Sequence, residues 1–164
     1  MFLLKYFDSF FIYLILLFFS IANTIHSFES LPLLNDFFYL LNHIILIYLG
    51  IYYYRFSLFL IFFVCGIILD LSLLNANIGP HLIIFMLLIS SLKYLNKYLY
   101  KFNSRKILLF IILLLLITVF LEQTISYFTL DHYFSYKEMI RYLLISVVIF
   151  YPIFFIFYKI DRIK

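Results

Sequence analysis

The sequence predicts an all-α membrane protein, a polytopic bundle of about six transmembrane helices with both termini in the cytoplasm. Three observations lead to this prediction. Hydrophobic residues make up 67% of the 164 positions and charged residues only 12%, whereas soluble domains carry about 25% charged residues. Six apolar segments are of a length that can cross, or nearly cross, a bilayer, and the basic residues gather at one set of their ends. A surface with so few polar groups suits lipid better than water.

The apolar segments follow one another along the whole chain, which predicts a single integral membrane domain over residues 1–164. Crossing the hydrocarbon core takes roughly 20 helical residues. The first segment is short for a full span, and no small-x-small pattern follows it, so we expect a helix rather than a cleavable signal. The second and third segments are so close that they must form a tight hairpin. The predicted helices are Phe10–Ile25, Phe37–Tyr54, Phe56–Leu74, His81–Tyr100, Ile107–Tyr127 and Met139–Tyr158.

Lysine and arginine are placed asymmetrically about these segments. With the N-terminus inside, only Lys137 and Arg141 fall on the outer side, and the other ten of the 12 basic residues fall on the cytoplasmic side. Cytoplasmic loops of membrane proteins carry such an excess of lysine and arginine. The distribution therefore predicts a cytoplasmic N-terminus, and an even number of spans returns the C-terminus to the same side.

Asp70 is an ionisable residue near the outer end of the third predicted helix, directly after an apolar run. Such a residue is costly in a membrane and usually faces protein or water. Gly66, four residues earlier, shares the same helical face and lets a neighbouring backbone approach closely. Two interpretations stay open. Asp70 binds an ion, a proton or a substrate, or it is a packing and capping acid at the turn over residues 72–80.

A second polar face lies on the fifth predicted helix, where three residues are spaced four apart, Thr118, Glu122 and Ser126. Counted from the cytoplasmic ends, Asp70 and Glu122 both lie in the outer half of the membrane. Arg141 enters the sixth helix from the same side, and His81 begins the fourth helix at that level. We expect either a structural polar cluster, in which Arg141 pairs with Asp70 or Glu122, or an outward-facing pocket.

A basic stripe occupies the cytoplasmic end of the fourth helix and the loop after it. Lys93, Lys97 and Lys101 repeat every four residues, and Arg105 and Lys106 follow. Such a stripe attracts anionic headgroups by about 1 kcal/mol per residue. The alternative is that it docks an acidic cytoplasmic partner.

No motif for catalysis is present. The sequence has no Gly-rich phosphate loop, no His-Glu-x-x-His and no Gly-x-Ser-x-Gly. The single cysteine, Cys65, rules out an intramolecular disulfide and a multi-cysteine metal site. We expect His43, a lone intramembrane histidine, to be a hydrogen-bonded packing residue rather than a ligand. The sequence thus predicts a protein that is not an enzyme, has no cofactor or metal, and does not bind nucleic acid.

The segment around Asp70 carries a pattern that extends into the next helix. It reads FFVCGIILDL over residues 62–71, and a short polar turn then leads to Asn77-Ile78-Gly79 and another apolar helix. This Gly-x-x-x-Asp pattern, with Gly79 beyond it, resembles the rod shape-determining protein MreD family. Leu31-Pro32 before the second helix and Pro152 within the last helix are also similar to that family, as are the length and hydropathy of the chain.

The resemblance implies a non-enzymatic component of the bacterial cell-shape complex, or elongasome, which organises side-wall peptidoglycan synthesis in the cytoplasmic (inner) membrane. The partners it implies are an MreC-like periplasmic-facing protein, an MreB-type filament, a RodA-type glycosyltransferase and a class B penicillin-binding transpeptidase. Gly66 and Asp70 would then hold the third and fourth helices in place. The family also looks related in fold to the substrate-binding subunits of vitamin transporters. The alternative is therefore a membrane subunit of a small-molecule importer, with a pocket lined by groups such as Asp70, His81 and Glu122.

Overall fold

Six α-helices and no strands make up the part of the chain that the structure describes. The computed structural model describes residues 2–26, 31–73, 79–99, 104–130 and 136–162. Over these ranges the predicted all-α class is confirmed. The helices are α1 (Phe2–Ile25), α2 (Pro32–Tyr52), α3 (Ser57–Leu73), α4 (Pro80–Leu99), α5 (Ser104–Leu130) and α6 (Tyr136–Arg162).

Several helix bounds differ from those predicted from hydropathy. Helix α1 begins eight residues earlier than predicted, and α5 and α6 extend by three or more residues at both ends. The reason is that backbone hydrogen bonding continues into polar and charged sequence, where the apolar signal has already stopped. Helix α2 begins five residues early at Pro32, since proline suits the first turn of a helix. The tight hairpin is present, because only residues 53–56 separate α2 from α3.

Within the described residues, four helices are long and apolar enough to cross a membrane, and they identify the chain as a membrane protein. They comprise α2, α4, the stretch Lys106–Phe128 of α5 and the stretch Met139–Asp161 of α6. Helices α1 and α3 carry shorter apolar stretches, Ser9–Ile25 and Ser57–Leu73. At about 1.5 Å per residue, the 17 residues of α3 extend for about 25 Å, slightly less than the hydrocarbon core of about 30 Å.

Helix α2 is the centre of the bundle. It packs against each of the other five helices, and every residue from position 42 to position 50 is buried. A helix that is apolar and buried on all sides is typical of the middle of a bundle. The remaining helices turn large apolar side chains outward, among them Ile15, Leu60, Leu109 and Val148. This arrangement gives the bundle an apolar outer surface that suits lipid.

The directions of α2, α3 and α4 follow from two contacts. Near the starts of α2 and α4, the rings of Tyr39 and His81 lie 6.1 Å apart. The side-chain amide of Asn96, near the end of α4, donates a hydrogen bond to the carbonyl oxygen of Gly50, near the end of α2, at 3.0 Å. The ends of α2 and α4 therefore lie side by side, and the two helices run parallel. Helix α3 connects the end of α2 to the start of α4, so it runs antiparallel to both over the same depth.

Candidate functional site: a buried chain of acids and histidines

Asp70 caps the first turn of α4 from the neighbouring helix. Its Oδ2 accepts hydrogen bonds from the backbone N–H groups of Gly79 (2.9 Å) and Leu82 (3.0 Å), and Oδ1 accepts one from that of His81 (3.1 Å). The first N–H groups of an α-helix have no partner within the helix, and a carboxylate there also interacts favourably with the helix dipole. Of the two interpretations of Asp70, this geometry favours the capping acid.

Gly66 is the residue that lets α3 and α4 approach each other. A Cβ atom at this position would lie 2.7 Å from the Cα atom of Leu82 and 3.1 Å from its backbone nitrogen. Carbon atoms in good contact lie about 3.5–4.0 Å apart, so only glycine fits here without a shift of the backbone. One turn later, the same close approach brings the backbone of Leu82 within reach of Asp70. Gly66, Asp70 and Gly79 thus belong to one contact, which we call the α3–α4 junction.

His81 continues the contacts from Asp70 towards the middle of the bundle. Its Nδ1 lies 2.8 Å from Asp70 Oδ1, and its Nε2 lies 3.0 Å from Glu122 Oε1. The other oxygen of Glu122, Oε2, lies 2.7 Å from Nε2 of His43. His43 Nδ1 in turn lies 3.0 Å from the carbonyl oxygen of Tyr39. Four side chains from four helices therefore form one line, which we call the acid–histidine chain: Asp70 (α3), His81 (α4), Glu122 (α5) and His43 (α2).

The acid–histidine chain is buried, and acids alternate with bases along it. Asp70 and His43 have no exposed surface, Glu122 is 1% exposed and His81 is 5% exposed. Burying a charge is costly unless it is paired and hydrogen-bonded, and the alternation provides a partner for each group. Rings of Tyr39 and Phe85 pack against the histidines. The side chains that could have lined a pocket are thus in direct contact with one another.

Arg141 does not join this chain, so the prediction that it pairs with Asp70 or Glu122 is wrong. Its Nε lies 2.9 Å from Oδ2 of Asp36 on α2, and one terminal nitrogen lies 3.4 Å from Oδ1. Counting residues from the helix ends gives depth in the membrane but not direction around the helix axis. Arg141 faces α2, whereas both oxygens of Glu122 face histidines.

A second polar junction, absent from the sequence-predicted site residues, lies at the opposite end of the bundle. Asp161 on α6 accepts hydrogen bonds from the hydroxyl groups of Tyr13 on α1 (2.9 Å), Tyr53 (2.7 Å) and Tyr48 on α2. Tyr13, Tyr48 and Tyr53 are all buried. The one signal in the sequence is Asp161, an acid in the last turn of an apolar helix. Its partners could not be picked out from the sequence, because the chain has 16 tyrosines. This junction holds α1, α2 and α6 together.

The basic stripe lies at the same end as Asp161. Lys93, Lys97 and Lys106 are exposed, and exposed rings of Tyr94 and Tyr98 lie beside the first two on α4. Lys101 lies outside the described residues, as does the side chain of Arg105. The exposed cations and rings make this surface one that can contact lipid headgroups.

An apolar cleft of about 610 Å³ lies between α5 and α6. Its lining includes Leu113 and Phe120 of α5 and Leu144 and Val147 of α6, and no member of the acid–histidine chain. The cleft offers hydrophobic contact alone, so it cannot orient a polar ligand by hydrogen bonds.

The side chains of the acid–histidine chain can hold and exchange protons. Among the described residues, no group of three or more His, Cys, Asp or Glu side chains is arranged to hold a metal ion. The acids and histidines instead lie in a line, each in contact with the next. No family model matches this protein, and no curated protein or solved structure matches it.

Proposed function

We propose that this protein is a non-enzymatic scaffold of the bacterial cell-shape complex, embedded in the cytoplasmic membrane, where it organises side-wall peptidoglycan synthesis. The observation that carries the proposal is the α3–α4 junction. Gly66, Asp70 and Gly79 carry the resemblance to the MreD family, and all three take part in this one contact. This shared structural role supports the family resemblance more strongly than the spacing of the three residues does alone.

The contacts around Asp70 favour a scaffold over an importer. A ligand site needs polar groups that converge on a cavity. Here both oxygens of Asp70 accept hydrogen bonds from backbone N–H groups at the start of α4. Both oxygens of Glu122 lie within 3.0 Å of histidine nitrogens. The importer alternative would require these contacts to break before a substrate could bind, whereas a scaffold uses them as they are, to fix the relative positions of its helices.

The proposed topology has six spans with both termini in the cytoplasm. Four helices of the described part of the chain are long and apolar enough for a span, and α3 runs antiparallel to α2 and α4 over the same depth. Helix α1 packs along α2 through hydrogen bonds from Asn42 to Thr24 and from Ser20 to the backbone of Phe38, which supports a span for α1 as well. The basic stripe marks the cytoplasmic end, so the acid–histidine chain lies in the outer half of the membrane.

Partners of the scaffold are expected to be those that the resemblance implies. They are an MreC-like protein, an MreB-type filament, a RodA-type glycosyltransferase and a class B penicillin-binding transpeptidase. A protein without a catalytic site acts in such an assembly by binding, so its lipid-facing helices and its loops are the surfaces through which it works.

Depletion of the protein in its own cells, combined with purification of a tagged copy in mild detergent, tests the proposal. We expect the cells to lose their elongated form and the tagged protein to retain an MreC-like protein or cell-wall synthesis enzymes. A tagged, unrelated multi-pass protein of similar length is the control for non-specific retention. Unchanged cell shape, with an ATPase or a bound metabolite in the purified sample, would refute the scaffold and favour the importer.

A further inference from the structure

The contacts of Asp70 fix its own protonation state. A carboxylate has about four lone-pair positions for hydrogen bonds. In Asp70 each oxygen faces two nitrogens: Oδ2 faces the N–H groups of Gly79 and Leu82, and Oδ1 faces the N–H group and Nδ1 of His81. Three backbone N–H groups at the start of a helix, all donating to one carboxyl group, favour its ionised form. Asp70 is therefore ionised, and Nδ1 of His81 carries a hydrogen.

The protonation of His43, at the other end of the acid–histidine chain, also follows from its contacts. Nδ1 of His43 faces the carbonyl oxygen of Tyr39, which can only accept a hydrogen bond. Nδ1 of His43 therefore carries a hydrogen as well. The protons that remain to be placed are those between Nε2 of each histidine and the carboxyl group of Glu122.

Each of the two contacts of Glu122 needs one proton. Its oxygens lie 2.7 Å from Nε2 of His43 and 3.0 Å from Nε2 of His81. The first contact is a hydrogen bond, and the second is similarly close but less well aligned, since Oε1 makes no hydrogen bond of good geometry among the described residues. Without a proton, two electron-rich atoms would lie 3.0 Å apart or less in a buried site, which is unfavourable.

Three arrangements satisfy both contacts. In the first, both histidines are imidazolium cations beside an ionised Glu122. In the other two, Glu122 is protonated and donates to one neutral histidine, while the other histidine is a cation. Asp70 is ionised throughout, so each arrangement has a net charge of zero, and they differ only in which atom holds each proton. A net charge of zero is the state that burial in a membrane favours.

We propose that Glu122, together with His43 and His81, is a proton-binding site that holds two exchangeable protons in the folded protein. The site lies where α2, α4 and α5 meet and is tied to α3 through Asp70. Loss of one proton leaves a buried negative charge and an unsatisfied contact, so the packing of these four helices depends on proton occupancy. The inference holds whether or not the protein is a scaffold of the cell-shape complex.

Other polar groups around the site leave this count unchanged. Tyr39 of α2 interacts with Glu122 and with Gln123 of α5, and Tyr142 of α6 lies near Tyr39. The tyrosine keeps its own hydrogen at neutral pH, so it can donate to Glu122 without supplying a proton, and the glutamine carries no charge. The charges of Arg141 and Asp36 are paired with each other.

The number of bound protons distinguishes the folded chain from the unfolded one. In the unfolded chain at about pH 8, each histidine holds one proton and both acids are ionised, so the four residues hold two protons. The folded chain holds four, two on the Nδ1 atoms and two on the contacts of Glu122. In Glu122→Gln, the amide donates its own N–H to one histidine and accepts from the other. One of the two exchangeable protons is then lost.

The test counts these protons directly in the whole 164-residue chain in lipid nanodiscs at about pH 8. Substituting His26→Gln and His132→Gln leaves His43 and His81 as the two histidines that give an NMR signal. Nitrogen-15 NMR of labelled histidine counts the imidazolium cations.

Infrared spectra with carbon-13-labelled glutamate show whether Glu122 is protonated, because Glu29→Gln and Glu138→Gln in the same background leave it as the single glutamate. We expect the number of imidazolium cations and the number of protonated Glu122 side chains to add up to two per molecule in the parent protein and to one in Glu122→Gln. Asp161→Asn is the matched acid-to-amide control, and its sum should stay at two.

A sum of zero or one in the parent protein overturns the proposal. The parent measurement alone decides, so the proposal remains testable even if Glu122→Gln fails to fold. Loss of an exchangeable proton in Asp161→Asn would also overturn it, because Asp161 lies at the opposite end of the bundle and touches no member of the acid–histidine chain.

Discussion

Gly66→Ala adds one methyl group at the α3–α4 junction and should loosen it. The new Cβ would lie 2.7 Å from the Cα atom of Leu82, where contact needs about 3.5–4.0 Å. The atom it meets belongs to the backbone, so no side-chain rotation can relieve the clash. Helices α3 and α4 must therefore separate by about 1 Å.

The cost follows from the clash and from the hydrogen bonds beside it. Overpacking of this kind costs about 1–3 kcal/mol. A separation of 1 Å stretches the bonds from the α4 backbone to Asp70, now 2.9–3.1 Å, and losing one bond to a charged acceptor costs about 1.5–3 kcal/mol. Alanine in a helix regains about 0.5–1 kcal/mol relative to glycine. We expect a net loss of about 2–5 kcal/mol.

Cys65 provides the assay. It is the chain's single cysteine and is fully buried, so a thiol-reactive fluorophore labels it when the bundle unfolds. For a chain of this size, a loss of 2–5 kcal/mol corresponds to a fall in Tm of about 5–15 °C.

Gly50→Ala is the matched control for this substitution. Its Cβ would lie 2.4 Å from Cδ1 of Leu92, a closer clash, but with the end of a side chain that can change rotamer at a cost of about 0.5–1.5 kcal/mol. The helix propensity of alanine offsets most of that cost, so Tm should change by only a few degrees. An equal fall in Tm for both variants, or no fall for Gly66→Ala, would refute the reasoning.

Three further predictions concern the other polar contacts. Asp36→Asn and Arg141→Gln should show a coupling of about 0.5–1 kcal/mol in a double-mutant cycle, since the arginine is partly exposed; strict additivity would count against the ion pair. Tyr13→Phe removes one hydrogen bond to Asp161 and should lower stability by about 1–2 kcal/mol; an unchanged Tm would show that this hydroxyl contributes nothing. Lys93→Gln should weaken retention of anionic lipid in native mass spectrometry by about fivefold while leaving neutral lipid unaffected; equal loss of both lipids would contradict a headgroup contact.

The helical class was predictable because the chain is so apolar that lipid is its solvent, and lipid demands internal backbone hydrogen bonding. The helix ends were less predictable. Residues 2–9, for example, are helical in the structure, yet they include Lys5 and Asp8 and carry no continuous apolar signal. Hydropathy reports burial in lipid, whereas a helix ends where its backbone hydrogen bonds end.

The site was predictable where spacing along one helix decides the contact. Gly66 and Asp70 share a face because they are four residues apart, and the structure places both against α4. The partners of Glu122 and Arg141 depend instead on how helices are rotated and ordered in the bundle, which hydropathy does not encode. For this reason the partners His43 and Asp36, 79 and 105 residues away in sequence, appear only in the structure.

The two glycine variants in cells test whether the α3–α4 junction is needed for the proposed scaffold role. Each replaces the parent protein at an equal level, and cell width and co-purified wall-synthesis proteins are measured. We expect Gly66→Ala to widen or round the cells and to lose the co-purified proteins, and Gly50→Ala to retain both shape and partners. Normal shape and partners in cells that carry a loosened Gly66→Ala protein would contradict this expectation.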